Sequence, residues 1–166
     1  MFSPIKYFQA SLHNNWGQVT PLIYRSAQLN KRELKEVRQK YNITLNLNLQ
    51  ATLPDEEFAE VTAADMELIW VPMSDKRAPL PAEIANALRV MRDPRIKLVN
   101  CKGGRHRTGL VVACYRTVVP ERGYAPWSKE LAWEEAEHYN FYSTFGHGPL
   151  KEWFFDEFKP EDYRDA

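Results

Sequence analysis

Cys101-Lys102-Gly103-Gly104-Arg105-His106-Arg107-Thr108 brings a cysteine, an arginine six positions later and a hydroxyl residue into one short segment. Five residues separate Cys101 from Arg107, so the backbone N–H groups of the intervening loop can converge on one point. At a helix start such donors carry partial positive charge, which favours an anion and a thiolate alike. Gly103 and Gly104 read as positions whose backbone angles a side chain would forbid. Arg107 supplies a planar fork that matches two oxygens of a phosphate. The segment is expected to cradle a phosphate, with Cys101 as nucleophile at its floor. A structural cysteine beside an accidental arginine is the bland alternative, and the flanking elements argue against it.

Those elements are legible on both sides. The apolar run Ile96-Lys97-Leu98-Val99 reads as a buried strand, and Gly109-Leu110-Val111-Val112-Ala113 continues a helix from about Arg107 to Val118. Upstream, Pro21-Leu22-Ile23-Tyr24 is a short strand entering the Arg25-Ser26 turn. Asn30 caps a helix with Glu33 three residues on and Leu34, Val37 and Tyr41 on one face. Ile43 to Leu49 alternates apolar and polar residues, the clearest strand pattern in the chain. Pro54 and Asp55 open a helix through Phe58 and Val61, followed by a strand over 68–71. Pro81 starts a helix with Ile84, Leu88 and Met91 on its buried face, stopped by Asp93-Pro94. Two further helices are expected over 126–139 and 150–158, with Ala132, Ala136, Tyr139, Leu150, Trp153, Phe154 and Phe158 as core residues. The pattern predicts one α/β domain over 1–166, a central mostly parallel sheet of four to five strands with helices on both sides. The loop then lies at the C-terminal end of its strand, where open sheets of this kind bind ligands.

Composition narrows the class. With 27% charged and 44% hydrophobic residues the chain reads as globular rather than disordered. Lysines and arginines number 22, as do the acidic residues, so no global field argues for nucleic acid or a membrane surface. Cys101 and Cys114 lack metal-ligand spacing, and neither a zinc site nor a disulfide scaffold is expected. No 18-residue apolar run and no charged-then-apolar N-terminus occurs, so a membrane span and a secretion signal are not expected. The expectation is a monomeric cytoplasmic protein without metal or cofactor.

Cys-x5-Arg-Thr between a strand and a helix resembles the signature of the cysteine-based protein tyrosine phosphatases. The form Cys101-Lys-Gly-Gly-Arg-His-Arg-Thr-Gly109 is similar to the small atypical dual-specificity branch of plants, fungi and bacteria. Tyr24-Arg25-Ser26-Ala27-Gln28 and Val71-Pro72-Met73-Ser74-Asp75 resemble that branch as well, and the likeness runs from Tyr24 to Tyr139. The chain departs from it at Asn100, where most members carry histidine. An amide donates a similar hydrogen bond but carries no charge, so weaker activation of the nucleophile is expected.

The resemblance implies a phospho-cysteine mechanism. Cys101 attacks phosphorus, while Arg107 and the loop N–H groups hold the phosphoryl oxygens. Thr108 either assists the departure of sulfur or caps the helix. Asp75 matches the family's acid-bearing loop and is the candidate general acid, with a solvated loop carboxylate as the alternative. Asp55, Asp65 and Asp93 read as helix-end residues. Lys102, Gly103, Gly104, Arg105 and His106 are the candidate substrate-binding residues, with Lys76 beside the acid.

This local basic excess resembles inositol polyphosphate and phosphoinositide phosphatases, including the phytase-like group. A phosphorylated small molecule of that kind is the expected partner, with phosphotyrosine or other phosphoproteins as the alternative and a binding-only pseudophosphatase as a third reading. Rhodanese-like sulfurtransferases do not demand Arg107-Thr108, and arsenate reductases place the cysteine near the chain start. Arg25 is expected in a structural salt bridge rather than at the loop, and Cys114 in the core rather than as a redox partner of Cys101. His138 and His147 carry no assignment.

Overall fold

The computed structural model describes residues 14–142 and 146–166. Five strands form one sheet among them: β1 Gly17–Thr20, β2 Ile23–Ser26, β3 Leu45–Asn48, β4 Glu67–Trp70 and β5 Lys97–Asn100. Their order is β1-β2-β5-β3-β4. Only β1 runs antiparallel, against β2; the other neighbours are parallel. This is the single α/β domain with a mostly parallel sheet that the alternating pattern predicts. No helix among the described residues is long and apolar enough to cross a membrane.

The helices are α1 Lys31–Tyr41, α2 Asp55–Ala63, α3 Pro81–Met91, α4 Arg107–Val118, α5 Lys129–His138 and α6 Gly148–Glu152. Leu34 and Val61, from α1 and α2, pack on one sheet face with Tyr24 and Leu98. Ile84, Leu110, Ala136 and Leu150, from α3 to α6, pack on the other with Ile23, Leu47 and Val99. Residues alternate faces along a strand, which is why neighbours such as Leu98 and Val99 belong to different cores. The start of α1 carries the anticipated capping box: Asn30 Oδ1 accepts the Glu33 N–H at 2.9 Å, and Glu33 Oε1 accepts the Asn30 N–H at 3.1 Å.

Two helix expectations need correction, and one strand was not anticipated. Strand β1 has a single strong apolar residue, Val19, and its sequence does not announce it. In α2 Val61 is the buried residue, while Phe58 is 50% exposed. The helix expected from 126 begins at Lys129, because Ser128 Oγ accepts the Leu131 N–H at 3.2 Å and sets the start. The helix expected over 150–158 breaks after α6 into a wider turn, Trp153–Glu157. There the Phe158 N–H reaches the Trp153 carbonyl at 2.8 Å, and the Phe158 ring stacks on Phe154.

Strand β3 holds a less obvious departure. Alternation ordinarily marks a strand with one solvated face, yet Asn46 and Asn48 are buried along with Leu45 and Leu47. Their carboxamides bond to other side chains and to backbone rather than to water, close to the exit of β5.

Candidate active site

Strand β5 lies between β2 and β3 and ends at Asn100; α4 begins at Arg107. The intervening loop is fixed on both flanks. The Gln28 N–H donates to the Lys102 carbonyl at 3.0 Å, and the Leu49 N–H to the Asn100 carbonyl at 2.9 Å. Cys101 is 2% exposed, at the base of the loop. Lys102 and Arg105 stand exposed on its rim.

Only one of the two loop glycines is sterically required. Gly104 has φ +68°, and a Cβ there would lie 2.5 Å from the Ala27 nitrogen and the Ser26 carbonyl carbon. Backbone cannot yield at that distance. At Gly103 a Cβ would meet only the Arg105 side chain, at 3.8 Å, so the expectation of forbidden angles applies to Gly104 alone.

The Gly104 carbonyl receives two buried donors, Arg25 Nη2 at 3.1 Å and Asn15 Nδ2 at 3.0 Å. In a trans peptide the carbonyl and the following N–H point in opposite directions. Both donors therefore hold the Arg105 N–H on the side of the peptide facing away from Arg25. The Arg25 guanidinium packs 3.9 Å from the centre of the Tyr139 ring and is completely buried. Its Nε and Nη1 have no hydrogen-bond partner among the described residues. Burial pushes its pKa down, against the opposing pull of Glu135, Tyr139 and Cys101. Among the described residues the expected salt bridge is not formed; Arg25 reaches the loop instead.

At the helix end of the loop, Arg107 Nη1 donates to the Met73 carbonyl at 3.4 Å. Arg107 Nε and Thr108 Oγ1 are buried with no hydrogen-bond partner among the described residues. Thr108 is not the helix cap, which is His106 and makes no side-chain capping bond. Two donors left unsatisfied at the first turn of a helix beside a cysteine can bind an anion's oxygens.

Asn100 anchors the loop from behind. Its Nδ2 donates to Gln28 Oε1 at 2.8 Å, and its Oδ1 accepts from Asn46 Nδ2 at 2.7 Å. Gln28 Oε1 also accepts from Asn48 at 3.2 Å and from Gln50 at 3.1 Å, and Gln50 in turn reaches Glu57 Oε2 at 2.8 Å. A net of carboxamides occupies the ground behind Cys101.

Asp75 lies in the loop between β4 and α3, whose backbone meets Arg107 through Met73. Lys76 is exposed beside it. Arg77 is held by Glu83 at 2.7 Å, and Glu83 also accepts the Leu80 N–H at 2.8 Å, which ties the far end of the acid loop to α3. His106 does not add the charge its type suggests. Burial, with His147 beside it, pushes its pKa down to about 4, so its ring is neutral near pH 7. Cys114 is buried on α4, and burial pushes its thiol pKa up.

Residues 14–139 match the family model described as the Swiss Army Knife protein, DSP-PTPase phosphatase domain. The chain belongs to this family. The dual specificity protein phosphatase TpbA of Pseudomonas aeruginosa is 28% identical over 130 residues, 76% of this chain and 55% of the relative. The chain thus spans about half the length of the curated relatives it matches. The crystal structure of P. aeruginosa TpbA superposes with a TM-score of 0.76 at 26% identity, covering 94% of this chain and 92% of that one. The fold is shared with the catalytic core of the PP-IP phosphatase SIW14 from S. cerevisiae, at a TM-score of 0.70 and 20% identity, over 89% and 88% of the two chains.

Within this DSP-PTPase domain the structure gathers Cys101, Lys102, Gly103, Gly104, Arg105, His106, Arg107 and Thr108 in one loop and sets the Asp75–Lys76 segment beside it. Sequence reasoning missed Asn15 and the contact of His147 with the Asp75 loop, and it ranked Arg25 at the loop behind a structural salt bridge. Arg25 had a signal in Tyr24-Arg25-Ser26, since Arg25 pairs with Val99 across β2 and β5, two residues from Cys101. Asn15 and His147 approach from distant segments and had none.

Proposed function

We propose that this protein is a cysteine-dependent phosphomonoester hydrolase that works through a phospho-cysteine and acts on inositol polyphosphates. The observation that carries the hydrolase reading is the pairing of Cys101 with buried, unsatisfied donors on Arg107 and Thr108 at the start of α4. In the first step Cys101 Sγ forms a bond to phosphorus as the ester oxygen departs, taking its proton from Asp75. Arg107 and the loop N–H groups hold the equatorial oxygens. In the second step Asp75, now ionised, accepts a proton from water as it attacks phosphorus, and the sulfur leaves as thiolate beside Thr108. Orthophosphate is released and the starting state returns.

The exposed Lys102, Arg105 and Lys76 around this centre favour a substrate with several phosphates. One phosphoryl group needs only the cradle, whereas peripheral phosphates need cations at its rim. The fold shared with a PP-IP phosphatase is consistent with this class. A phosphoprotein substrate is the second reading, supported by the TpbA relative and by Tyr142, 52% exposed near His106, where it could flank an aryl ring. Side-by-side turnover of inositol hexakisphosphate, a diphosphoinositol phosphate and phosphotyrosine peptides separates them. Hydrolysis of peptides alone overturns the inositol assignment, and inactivity on every ester, p-nitrophenyl phosphate included, overturns the enzyme.

A further inference from the structure

His147 lies beyond the residues matched by the family model and just ahead of α6. It is 8% exposed and touches both catalytic loops at once. Its Nδ1 is 2.9 Å from the Asp75 backbone carbonyl. A carbonyl can only accept, so Nδ1 carries the hydrogen and, in the neutral ring, Nε2 keeps the lone pair. The same Nδ1 stands 3.8 Å from Asp75 Oδ2, too far for a hydrogen bond but close enough for the N–H dipole to attract the carboxylate.

The face of the ring makes the second contact. It stacks on His106 with centroids 3.5 Å apart and planes at 15°, and His106 immediately precedes Arg107. His106 is fixed in its turn. Its Nε2 faces the Tyr142 carbonyl at 3.1 Å, which sets that nitrogen as the donor, and Phe141 packs edge-on at 4.9 Å. Next to His147, a Cβ on Gly146 would lie 3.4 Å from Lys76 Cδ, so the segment follows the acid loop for two residues.

We propose that His147 is a positioning residue: it clamps the Asp75 loop to the phosphate loop through His106 and so sets where the acid stands over the leaving oxygen. The hydrogen bond fixes the backbone that carries Asp75, and the stack fixes that backbone relative to Cys101 and Arg107. The proposal rests on the phosphatase reading above. It also gives the C-terminal segment a part in the chemistry without contact to the substrate.

A positioning role differs from a general structural one in its dependence on the leaving group. His147→Ala should lower kcat on an alkyl phosphate by about 10–100-fold, the scale of a misplaced general acid. KM should change less than about twofold, and p-nitrophenyl phosphate, which needs little protonation, should lose at most about threefold. His147→Asn, which keeps an N–H donor near the Nδ1 position, should recover most of the loss. His147→Phe, which keeps the ring on His106 without the donor, should not. These last two variants decide the matter if the alanine variant fails to fold. Equal losses on both phosphates, or recovery by Phe and not by Asn, overturn the clamp. Hydrogen exchange reads the same contact without turnover: amides of residues 73–77 should exchange faster in His147→Ala while those of β5 do not change. Unchanged exchange there overturns the clamp even in an active enzyme. A parent that hydrolyses no phosphate overturns the phosphatase reading, and the exchange result still decides the clamp.

Discussion

Replacing Arg25 by methionine should separate stability from activity. The guanidinium is completely buried, donates one hydrogen bond to the Gly104 carbonyl and rests on the Tyr139 ring, while Nε and Nη1 are unpaired. In its favour stand a charge-assisted hydrogen bond of about 1.5–3 kcal/mol and a desolvated cation–π contact of about 2 kcal/mol. Against it stands the cost of burying a charge with two unsatisfied nitrogens, which reaches several kcal/mol. Methionine fills the stem volume and keeps a sulfur–aromatic contact worth about 0.3–1.5 kcal/mol. These contributions nearly cancel, so the stability change should stay within about 1 kcal/mol, a shift of roughly 2–4 °C in Tm for a chain of this size. Catalysis has no such compensation. The Gly104 carbonyl loses its charged donor, the peptide carrying the Arg105 N–H is free to turn, and a positive charge disappears from below Cys101. Losing one preorganised donor to a transition-state oxygen costs about 10²–10³ in rate; through this one intervening peptide, about a 10²-fold fall in kcat/KM on p-nitrophenyl phosphate is expected. Thermal unfolding and steady-state kinetics on the same preparation make the measurement, with iodoacetate inactivation, expected to slow, as a second readout of the nucleophile. A Tm drop beyond about 10 °C with activity retained would refute the reasoning. That pattern belongs to a broken buried ion pair.

Cys101→Ser should abolish turnover while phosphate still raises Tm, since the serine hydroxyl does not ionise near neutral pH; measurable turnover in that variant refutes the nucleophile. Asp75→Asn should slow alkyl phosphate hydrolysis by about 10²–10⁴-fold and p-nitrophenyl phosphate much less; equal losses would deny it the acid role. Replacing both Lys102 and Arg105 by alanine should raise KM for inositol hexakisphosphate about tenfold to hundredfold, at roughly 1 kcal/mol per exposed charge. That effect should shrink in high salt and be nearly absent for p-nitrophenyl phosphate. The His106 pKa of about 4 lies below that of a free imidazole, so burial of the neutral ring contributes stability above about pH 6.5 that is lost as pH falls towards 4. After allowance for solvent screening the loss should be roughly 1–2 kcal/mol; a His106→Asn variant should show a flatter fall in Tm across that window, and an identical slope would deny the assignment.

The loop was legible as a strand–loop–helix unit because its residues are consecutive. Cys101, Arg107 and the glycines lie within eight positions, and the strand before and the helix after announce themselves by apolar runs. Helix starts with a side-chain or proline signal, at Asn30 and Pro81, were legible for the same local reason. What escaped is what the chain assembles from afar. Asn15 and His147 reach the two loops from β1's approach and from the segment before α6, and no spacing rule links positions so distant in sequence. Strand β1 is held by pairing with β2 rather than by its own apolar pattern. The turn at Trp153–Glu157 follows from where three rings must pack, a tertiary demand that a 3.6-residue period does not encode.

The asparagines of β3 show why one pattern carried two meanings. Period-two alternation records only that side chains of two types face opposite ways; whether the polar face meets water depends on what covers it. Here α1 and α2 cover it, so Asn46 and Asn48 must find partners inside the protein. Their Nδ2 groups find them in Leu98's carbonyl, Asn100 and Gln28, while Asn46 Oδ1 has no partner among the described residues. Asn100 is thereby one member of a matched set of carboxamides. An imidazole at this position could not donate to Gln28 Oε1 and accept from Asn46 Nδ2 with the geometry of a carboxamide. The strand-end residue before Cys101 is instead fixed by neutral dipoles on both sides. Positive charge near Cys101 then comes from Arg25 and Arg107 and from the start of α4. On this arrangement Asn100→His alone should not raise activity, because it would take from buried Asn46 Nδ2 its shorter acceptor, leaving it the Leu98 carbonyl alone. A single-site gain in kcat/KM on p-nitrophenyl phosphate from that substitution would show that the amide net is incidental to the loop it adjoins.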